Sequence, residues 1–127
     1  MSTTTLDAAG IAQRYIALWN ETDAAQRQRM LEAGWSEEAR YVDPHMQARG
    51  HREISTLVSA VHQRFPGFRF ALAGQADAHG DNLRFSWTLG PSGADDLIQG
   101  TDFVQVEAGK LRSVTGFLDK VPDGPVD

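Results

Sequence analysis

The sequence predicts an α+β domain in which three N-terminal helices pack on one face of a strongly curved, mixed or antiparallel sheet. Two patterns carry this prediction: apolar residues recur at helical spacing up to residue 65 and alternate in twos from residue 68 onward. One short strand interrupts the helices, before the third of them. Because a strongly curved sheet closed on one side by helices forms a cone, we expect the domain to enclose a pocket.

Length and composition indicate one acidic domain without disulfides. The 127 residues suffice for a single core, and the chain has a net charge of −5 and no cysteine. The negative charge argues against a nucleic-acid partner, whose phosphates require a basic face, and no segment approaches the ~20 apolar residues of a membrane helix. Residues 1–5 lack a basic region and an apolar run, so we expect no secretory signal and a cytoplasmic location. We expect one domain over residues 1–120 and a flexible tail over residues 121–127.

The first helix is predicted from its cap and its apolar stripe. Thr5 or Asp7 can cap a helix that runs to about Asn20. Its inward stripe, at positions i, i+4, i+7 and i+8, is Ile11, Tyr15, Leu18 and Trp19. Tyr15 therefore lies in the middle of a buried face, where its hydroxyl needs a hydrogen-bond partner.

Two further helices follow from the same signals. Asp23 can cap a helix over residues 24–33, and Gly34 ends it. A third helix is predicted over residues 52–64, before Pro66. Its apolar stripe is Ile54, Leu57, Val58, Val61, His62 and Phe65.

A short strand over residues 39–42 ends at the pair Asp43-Pro44. Pro44 has no backbone N–H and biases the preceding residue toward an extended conformation, so Asp43 lies where sheet pairing stops. There Asp43 is either a cap for the following turn or a carboxylate aimed into a pocket. Residues 45–50 are predicted to form a loop.

From residue 68 onward the sequence predicts an antiparallel meander. Alternating apolar residues mark two strands around residues 68–72 and 83–89, with a turn at Gly80-Asp81. A long strand over residues 97–107 and a strand over residues 110–118 follow, joined by a tight turn.

Asp102 is the notable residue of the long strand. Counting by twos, it shares one face with residues that are otherwise apolar or glycine: Ile98, Gly100, Val104 and Val106. If this face looks inward, desolvation raises the pKa of Asp102, and the neutral acid can donate a hydrogen bond. The alternative is an edge acid that pairs with Arg112 across the hairpin.

This order of elements resembles the NTF2-like superfamily, the cone-shaped, cystatin-like α+β fold of SnoaL-like cyclases and ketosteroid isomerases. The resemblance covers residues 7–120. It depends on residues 13–20, 39–44, 100–104 and 109–111. The resemblance implies the cone and a small hydrophobic molecule inside it.

The resemblance also implies roles for three residues. In ketosteroid isomerases an aspartate before a proline moves a proton between two carbons, while a first-helix tyrosine and a protonated strand aspartate hold the dienolate oxygen. These roles correspond to Asp43 as base and to Tyr15 and Asp102 as oxyanion donors. Limonene epoxide hydrolases carry an arginine at the position of Gly100. The lack of this arginine here disfavours an epoxide hydrolase function.

The expected function is therefore a cofactor-independent isomerase or cyclase that acts on a hydrophobic carbonyl compound through an enolate. We expect no metal, because the histidines lack the spacing of a ligand set. The expected substrate pocket consists of Trp19, Val58, His62, Phe70, Phe85 and Trp87.

Two alternatives remain open at this point. One is a non-catalytic ligand-binding module with the same pocket, and the other is a structural dimer whose cavity is plugged by Trp87 or Phe70. In every case the resemblance implies a homodimer through the open face of the sheet.

Overall fold

A computed structural model describes residues 6–94 and 96–122. The elements are α1 (Ala8–Asn20), α2 (Ala24–Gly34), β1 (Trp35–Val42), β2 (Gln47–Arg49), α3 (Gly50–Arg64), β3 (Arg69–His79), β4 (Asn82–Gly90), β5 (Ile98–Glu107) and β6 (Lys110–Lys120). The strands of this region form one mixed, open sheet in the order β2-β1-β6-β5-β4-β3. The predicted α+β class is confirmed. None of these helices is long and apolar enough to cross a membrane.

The meander of β3 to β6 is antiparallel throughout, as predicted. On the other side of the sheet, β1 lies parallel to β6, with Tyr41 opposite Val114. The strand β1 begins at Trp35 and not at residue 39, because its pairing with β6 extends it across a register shift.

The loop prediction for residues 45–50 was wrong. Residues Gln47–Arg49 form β2, which turns back and pairs antiparallel with β1. The helix α3 then begins at Gly50, two residues before the predicted start, and Gly50 adopts a positive φ of 84° that glycine tolerates well.

The predicted helix caps are present at Asp7 and Asp23. The Asp7 carboxylate accepts a hydrogen bond from the Gly10 N–H at 3.0 Å, and the Asp23 carboxylate accepts one from the Ala25 N–H at 3.0 Å. The alternative cap Thr5 and the tail residues 123–127 lie outside the described residues.

The inner face of β5 follows the predicted alternation. Residues 98, 100, 102, 104 and 106 are buried, and the intervening residues are partly or fully exposed. Above this face pack the predicted stripes of the helices, with Tyr15, Leu18 and Trp19 of α1 and Ile54, Val58 and Val61 of α3 buried. The core therefore lies between the helices and one face of the sheet.

Arg27 is a buried cation that joins α2 to α3 and that the sequence did not indicate. Its side chain is 2% exposed. It donates hydrogen bonds to the Ser55 Oγ at 3.0 Å, to the Ser59 Oγ at 2.5 Å and to the backbone carbonyl of Glu21 at 2.7 Å. The planar guanidinium suits these three directions at once.

We predict that Arg27→Lys lowers the free energy of unfolding by about 2 kcal/mol, because an ammonium group cannot reach all three acceptors and leaves partly buried groups unpaired. Urea unfolding followed by circular dichroism measures the change. Arg29→Lys is the control, since Arg29 is exposed and donates to Gln26 of its own helix. Equal effects of the two substitutions would contradict the prediction.

Candidate functional site

A cavity of about 760 Å³ lies between the helices and the inner face of the sheet. Its lining is mostly apolar and aromatic, and its acidic side chains are Asp43, from the end of β1, and Asp102, from β5. Tyr15 of α1 and Tyr41 of β1 line the same space. The fold thus brings the three residues of the expected catalytic set, Tyr15, Asp43 and Asp102, to one cavity.

A hydrogen bond joins Tyr15 to Asp102 across the core. The Tyr15 hydroxyl donates to the Asp102 Oδ2, and the two residues are 3% and 2% exposed. This contact provides the partner that a buried tyrosine hydroxyl requires. The alternative pairing with Arg112 does not occur, because Arg112 donates to the Gln105 Oε1 at 2.7 Å.

Burial raises the pKa of Asp102 to about 6. The Tyr15 hydrogen bond and the nearby Trp87 indole oppose this rise, whereas the negative charges of Asp43 and Asp119 add to it. Burial and the charge of Asp102 also raise the pKa of Tyr15 well above its ordinary value, so its hydroxyl keeps its proton at neutral pH. The second carboxyl oxygen, Asp102 Oδ1, has no hydrogen-bond partner within the described region.

Asp43 combines the two roles that the sequence left open. Its Oδ1 accepts hydrogen bonds from the backbone N–H groups of His45 and Met46, each at 2.8 Å, which makes it a turn cap. Its Oδ2 accepts a hydrogen bond from the Tyr41 hydroxyl at 2.7 Å. The carboxylate is therefore held at both oxygens while it lines the cavity.

Gly116 of β6 separates the two acids. A Cβ atom at this position would lie 2.8 Å from the Asp102 Oδ1 and 3.4 Å from the Asp43 Cβ. The lack of a side chain at residue 116 therefore leaves the room in which both carboxyl groups face one space.

Gly100 of β5 makes room for the indole of Trp87. A Cβ atom at residue 100 would overlap the Trp87 ring and lie 2.7 Å from the Phe117 carbonyl oxygen. The arginine that limonene epoxide hydrolases carry at this position is therefore incompatible with the observed position of Trp87.

The expected wall residues divide into two groups. Trp19, Phe70 and Trp87 line the cavity. Val58, Phe85 and His62 do not belong to its lining. Val58 of α3 is fully buried in the core, and Phe85 packs edge-on against Tyr15 with ring centroids 4.9 Å apart. The ring of His62 is turned to the Trp19 carbonyl oxygen, 2.7 Å from its Nε2.

Two site residues were missed by the sequence reasoning. Tyr41 was considered only as a strand former, although its position two residues before Asp43 is a usable signal, since such residues share one face of a strand. Gly116 carries no signal in the sequence, because the groups that need its space come from other strands. Within residues 6–94 and 96–122, no group of three or more histidine or acidic side chains is arranged to hold a metal ion.

Residues 12–114 match the family model of the SnoaL-like domain. The chain belongs to the SnoaL-like family. A solved structure of a candidate isomerase of this family from Agrobacterium tumefaciens str. C58 is 45% identical to the chain, with a TM-score of 0.84 over 88% of this chain and 97% of that chain. No curated protein matches the sequence.

More distant structures share the fold of this SnoaL-like domain. A candidate ketosteroid isomerase from Kribbella flavida DSM 17836 is 20% identical, with a TM-score of 0.67 over 93% of this chain and 82% of that chain. A candidate SnoaL-like polyketide cyclase from Jannaschia sp. CCS1 is 11% identical, with a TM-score of 0.67 over 98% of this chain and all of that chain. At these identities the likeness extends to the fold alone.

We predict that Asp102 makes the domain less stable as the pH rises from about 4 to about 6. The folded-state pKa of about 6 lies above the ordinary value of 3.8, so the native state binds the proton more tightly than the unfolded state in this window. The contribution of Asp102 to stability falls as the pH rises through the window and is constant above it. Across the whole window, the contribution of Asp102 to the free energy of unfolding falls by on the order of 3 kcal/mol.

The measurement is the free energy of unfolding of Asp102→Asn minus that of the wild type, as a function of pH. This difference should rise between about pH 4 and pH 6 and then level off, because only the wild type carries the titrating group. A difference that does not change with pH would show that Asp102 titrates alike in both states.

Proposed function

We propose that this SnoaL-like domain is a cofactor-independent enzyme that transfers a proton on a hydrophobic carbonyl compound through an enolate. Isomerisation and cyclisation share this intermediate. The observation that carries the proposal is the approach of Asp43 and Asp102 to one another across Gly116 in a mostly apolar cavity. A base and an acid must both reach the substrate in such a reaction.

Asp43 is the proposed base. Its Oδ1 is held by two backbone N–H groups and its Oδ2 by the Tyr41 hydroxyl, and these donors fix the orientation of the carboxyl group. Burial and the charges of Asp102 and Asp43 raise the pKa of Tyr41, so Tyr41 remains a donor. A positioned base of this kind contributes roughly 10²–10⁴-fold to the rate.

Tyr15 and Asp102 are the proposed oxyanion donors and act as one hydrogen-bonded unit. Tyr15 holds the Asp102 Oδ2, and the other carboxyl oxygen, Oδ1, has no hydrogen-bond partner within the described region. Negative charge that develops on the substrate oxygen raises the pKa of Asp102 further and favours its neutral, donating form. One oxyanion donor contributes roughly 10²–10³-fold to the rate.

One of the comparisons supports the proposed reaction class. The relative from Agrobacterium tumefaciens, at 45% identity, is itself a candidate isomerase of the SnoaL-like family. The more distant structures support the fold and do not bear on the reaction.

The proposal predicts that the protein exchanges the α-hydrogens of a hydrophobic ketone, such as 2-tetralone, with deuterium from solvent. Proton NMR measures the exchange rate in D₂O. Asp43→Asn should lower the enzymatic rate by about 10²-fold or more, because the amide is not a base, and Asp102→Leu should lower it by a similar factor. Asp77→Asn is the control, since Asp77 is an exposed residue of β3 outside the cavity lining.

Wild-type exchange that Asp43→Asn leaves unchanged would contradict the assignment of the base. The alternative, a non-catalytic ligand-binding protein, is distinguished by titration with a fluorescent phenolic steroid that resembles a dienolate. Binding that Tyr15→Phe and Asp102→Asn weaken, without any α-hydrogen exchange in the wild type, would favour that alternative.

We further propose that two copies of the chain associate through the outer face of the sheet. Phe103 and Phe117 are 44% and 52% exposed there and form an edge-to-face pair with ring centroids 5.7 Å apart. Their strands, β5 and β6, are the two central strands of the sheet, so a two-fold axis through this pair brings like patches together. An exposed apolar patch of this kind is typical of an interaction site.

We expect the wild type to sediment as a dimer and the double variant Phe103→Ser/Phe117→Ser to sediment as a monomer, because the variant loses the apolar contact. Sedimentation velocity measures both. Val121→Ser is the control, since it removes an exposed apolar side chain that lies outside the sheet. A monomeric wild type would refute the dimer.

A further inference from the structure

The cavity has an exposed mouth and a buried inner end. The exposed part of its lining includes residues from the turn after β1, from α3 and from the chain after β6: His45, Ala60, Arg64 and Val121. The Tyr15–Asp102 pair, in contrast, is 3% and 2% exposed and lies at the inner end. A ligand that fills the cavity therefore has one part next to solvent and one part inside the core.

Arg64 belongs to the face of α3 that the cavity meets. Residues 60, 61, 64 and 65 all line the cavity, and residues at this spacing share one side of a helix. Helical side chains lean toward the N-terminus of their helix, so Arg64 leans toward the turn that contains Ala60, whose small side chain leaves space there. The geometry of α3 thus places a cation at the mouth.

Phe65 supports the guanidinium group of Arg64. The Arg64 Cζ lies 5.7 Å from the centroid of the Phe65 ring, over its face. Phe65 itself lines the cavity, and its ring packs against Phe68 with centroids 5.1 Å apart. A guanidinium group is attracted to the face of an aromatic ring, so this contact favours positions of Arg64 close to the cavity wall.

The charge of the lining favours a singly charged anion. Within the described residues, Arg64 is the only lysine or arginine that lines the cavity. Its guanidinium group remains protonated at neutral pH, and its planar fork of N–H donors fits a carboxylate. A doubly charged group such as a phosphate would bring a second negative charge into a lining that already contains Asp43, without a second arginine or lysine to balance it.

Desolvation decides which way round such an anion binds. A carboxylate that moves into an apolar interior without a cation loses its hydration at a large free energy cost. The inner walls of the cavity include the buried side chains of Leu89 and Ile98, which offer no compensation. At the mouth the carboxylate keeps water and gains Arg64, so the apolar part of the ligand extends inward toward the Tyr15–Asp102 pair.

We infer that Arg64 is a specificity-determining residue and that the substrate is a hydrophobic keto acid whose carboxylate binds to Arg64 at the mouth. This inference rests on the proposed enolate chemistry. The α C–H bond next to the ketone breaks, its proton passes to the Asp43 carboxylate, and the electron pair moves to the ketone oxygen. The carboxylate of the substrate takes no part in this step, so Arg64 acts on binding and orientation.

The test uses two ligands that differ by one charge. They are a 2-tetralone with a carboxyethyl chain on its aromatic ring and the methyl ester of the same compound. Isothermal titration calorimetry gives the affinity of each, and proton NMR in D₂O gives the rate of α-hydrogen exchange. We expect Arg64→Gln to lower the ratio of the keto acid affinity to the ester affinity by about three- to tenfold, because glutamine is polar but uncharged.

Arg52→Gln is the matched control. Arg52 is an exposed arginine of the same helix outside the cavity lining, and its substitution changes the net charge by the same amount. The affinity ratio should stay within about twofold in this variant. In the wild type, raising the NaCl concentration to about 0.5 M should weaken binding of the keto acid more than binding of the ester, because salt screens exposed charges.

The outcomes separate this inference from the proposed function. If both compounds exchange their α-hydrogens in a manner that depends on Asp43 while Arg64→Gln leaves the affinity ratio unchanged, the inference is overturned and the enolate proposal stands. If keto acid binding depends on Arg64 but neither compound exchanges, the enolate proposal is overturned and the anion site at Arg64 stands. If neither compound binds, the inference is overturned, and exchange of unsubstituted 2-tetralone decides the enolate proposal separately.

Discussion

The cavity depends on the hydrogen bond between Tyr15 and Asp102. A carboxyl group on the inner face of a sheet loses its hydration, and the free energy cost is acceptable only if hydrogen bonds replace the lost water. Tyr15 supplies one such bond from α1 and thereby ties the first helix to β5. The compensation is partial, and the remaining cost appears as the raised pKa of Asp102. An acid that is retained at such a cost is typical of a functional site.

The residues around the Tyr15–Asp102 pair leave room for it and hold Asp43 close to it. Gly116 leaves space for the carboxyl of Asp102 and brings Asp43 close to it, and Gly100 lets the Trp87 indole lie beside the same group. Asp43 is itself fixed by the turn that it caps, so the position of the proposed base is coupled to the connection between β1 and β2. Backbone geometry therefore holds the polar groups, and little side-chain freedom remains to be lost when a ligand binds.

The sequence predicted the elements well because their signals are local. Helical spacing, capping aspartates and the alternation around Asp102 each depend on neighbours within a few residues. The errors arose where distant residues decide. Residues 47–49 form a strand because β1 is there to pair with them. Val58, His62 and Phe85 were expected at the pocket because periodicity identifies the inward face of an element. Periodicity does not tell whether that face meets other side chains or an open cavity.

By itself, the sequence determined the fold class, the inward orientation of Tyr15 and the end of the strand before Asp43, since each follows from local spacing or from proline. For Asp102 it left two interpretations open, an inward acid and an edge acid paired with Arg112. Only the tertiary structure decided which inward residues share the cavity. It also decided that Asp43 both caps a turn and lines the pocket, and that Asp102 hydrogen-bonds to Tyr15 of another element. These properties depend on distances between separate elements, which are set by packing that no local pattern encodes.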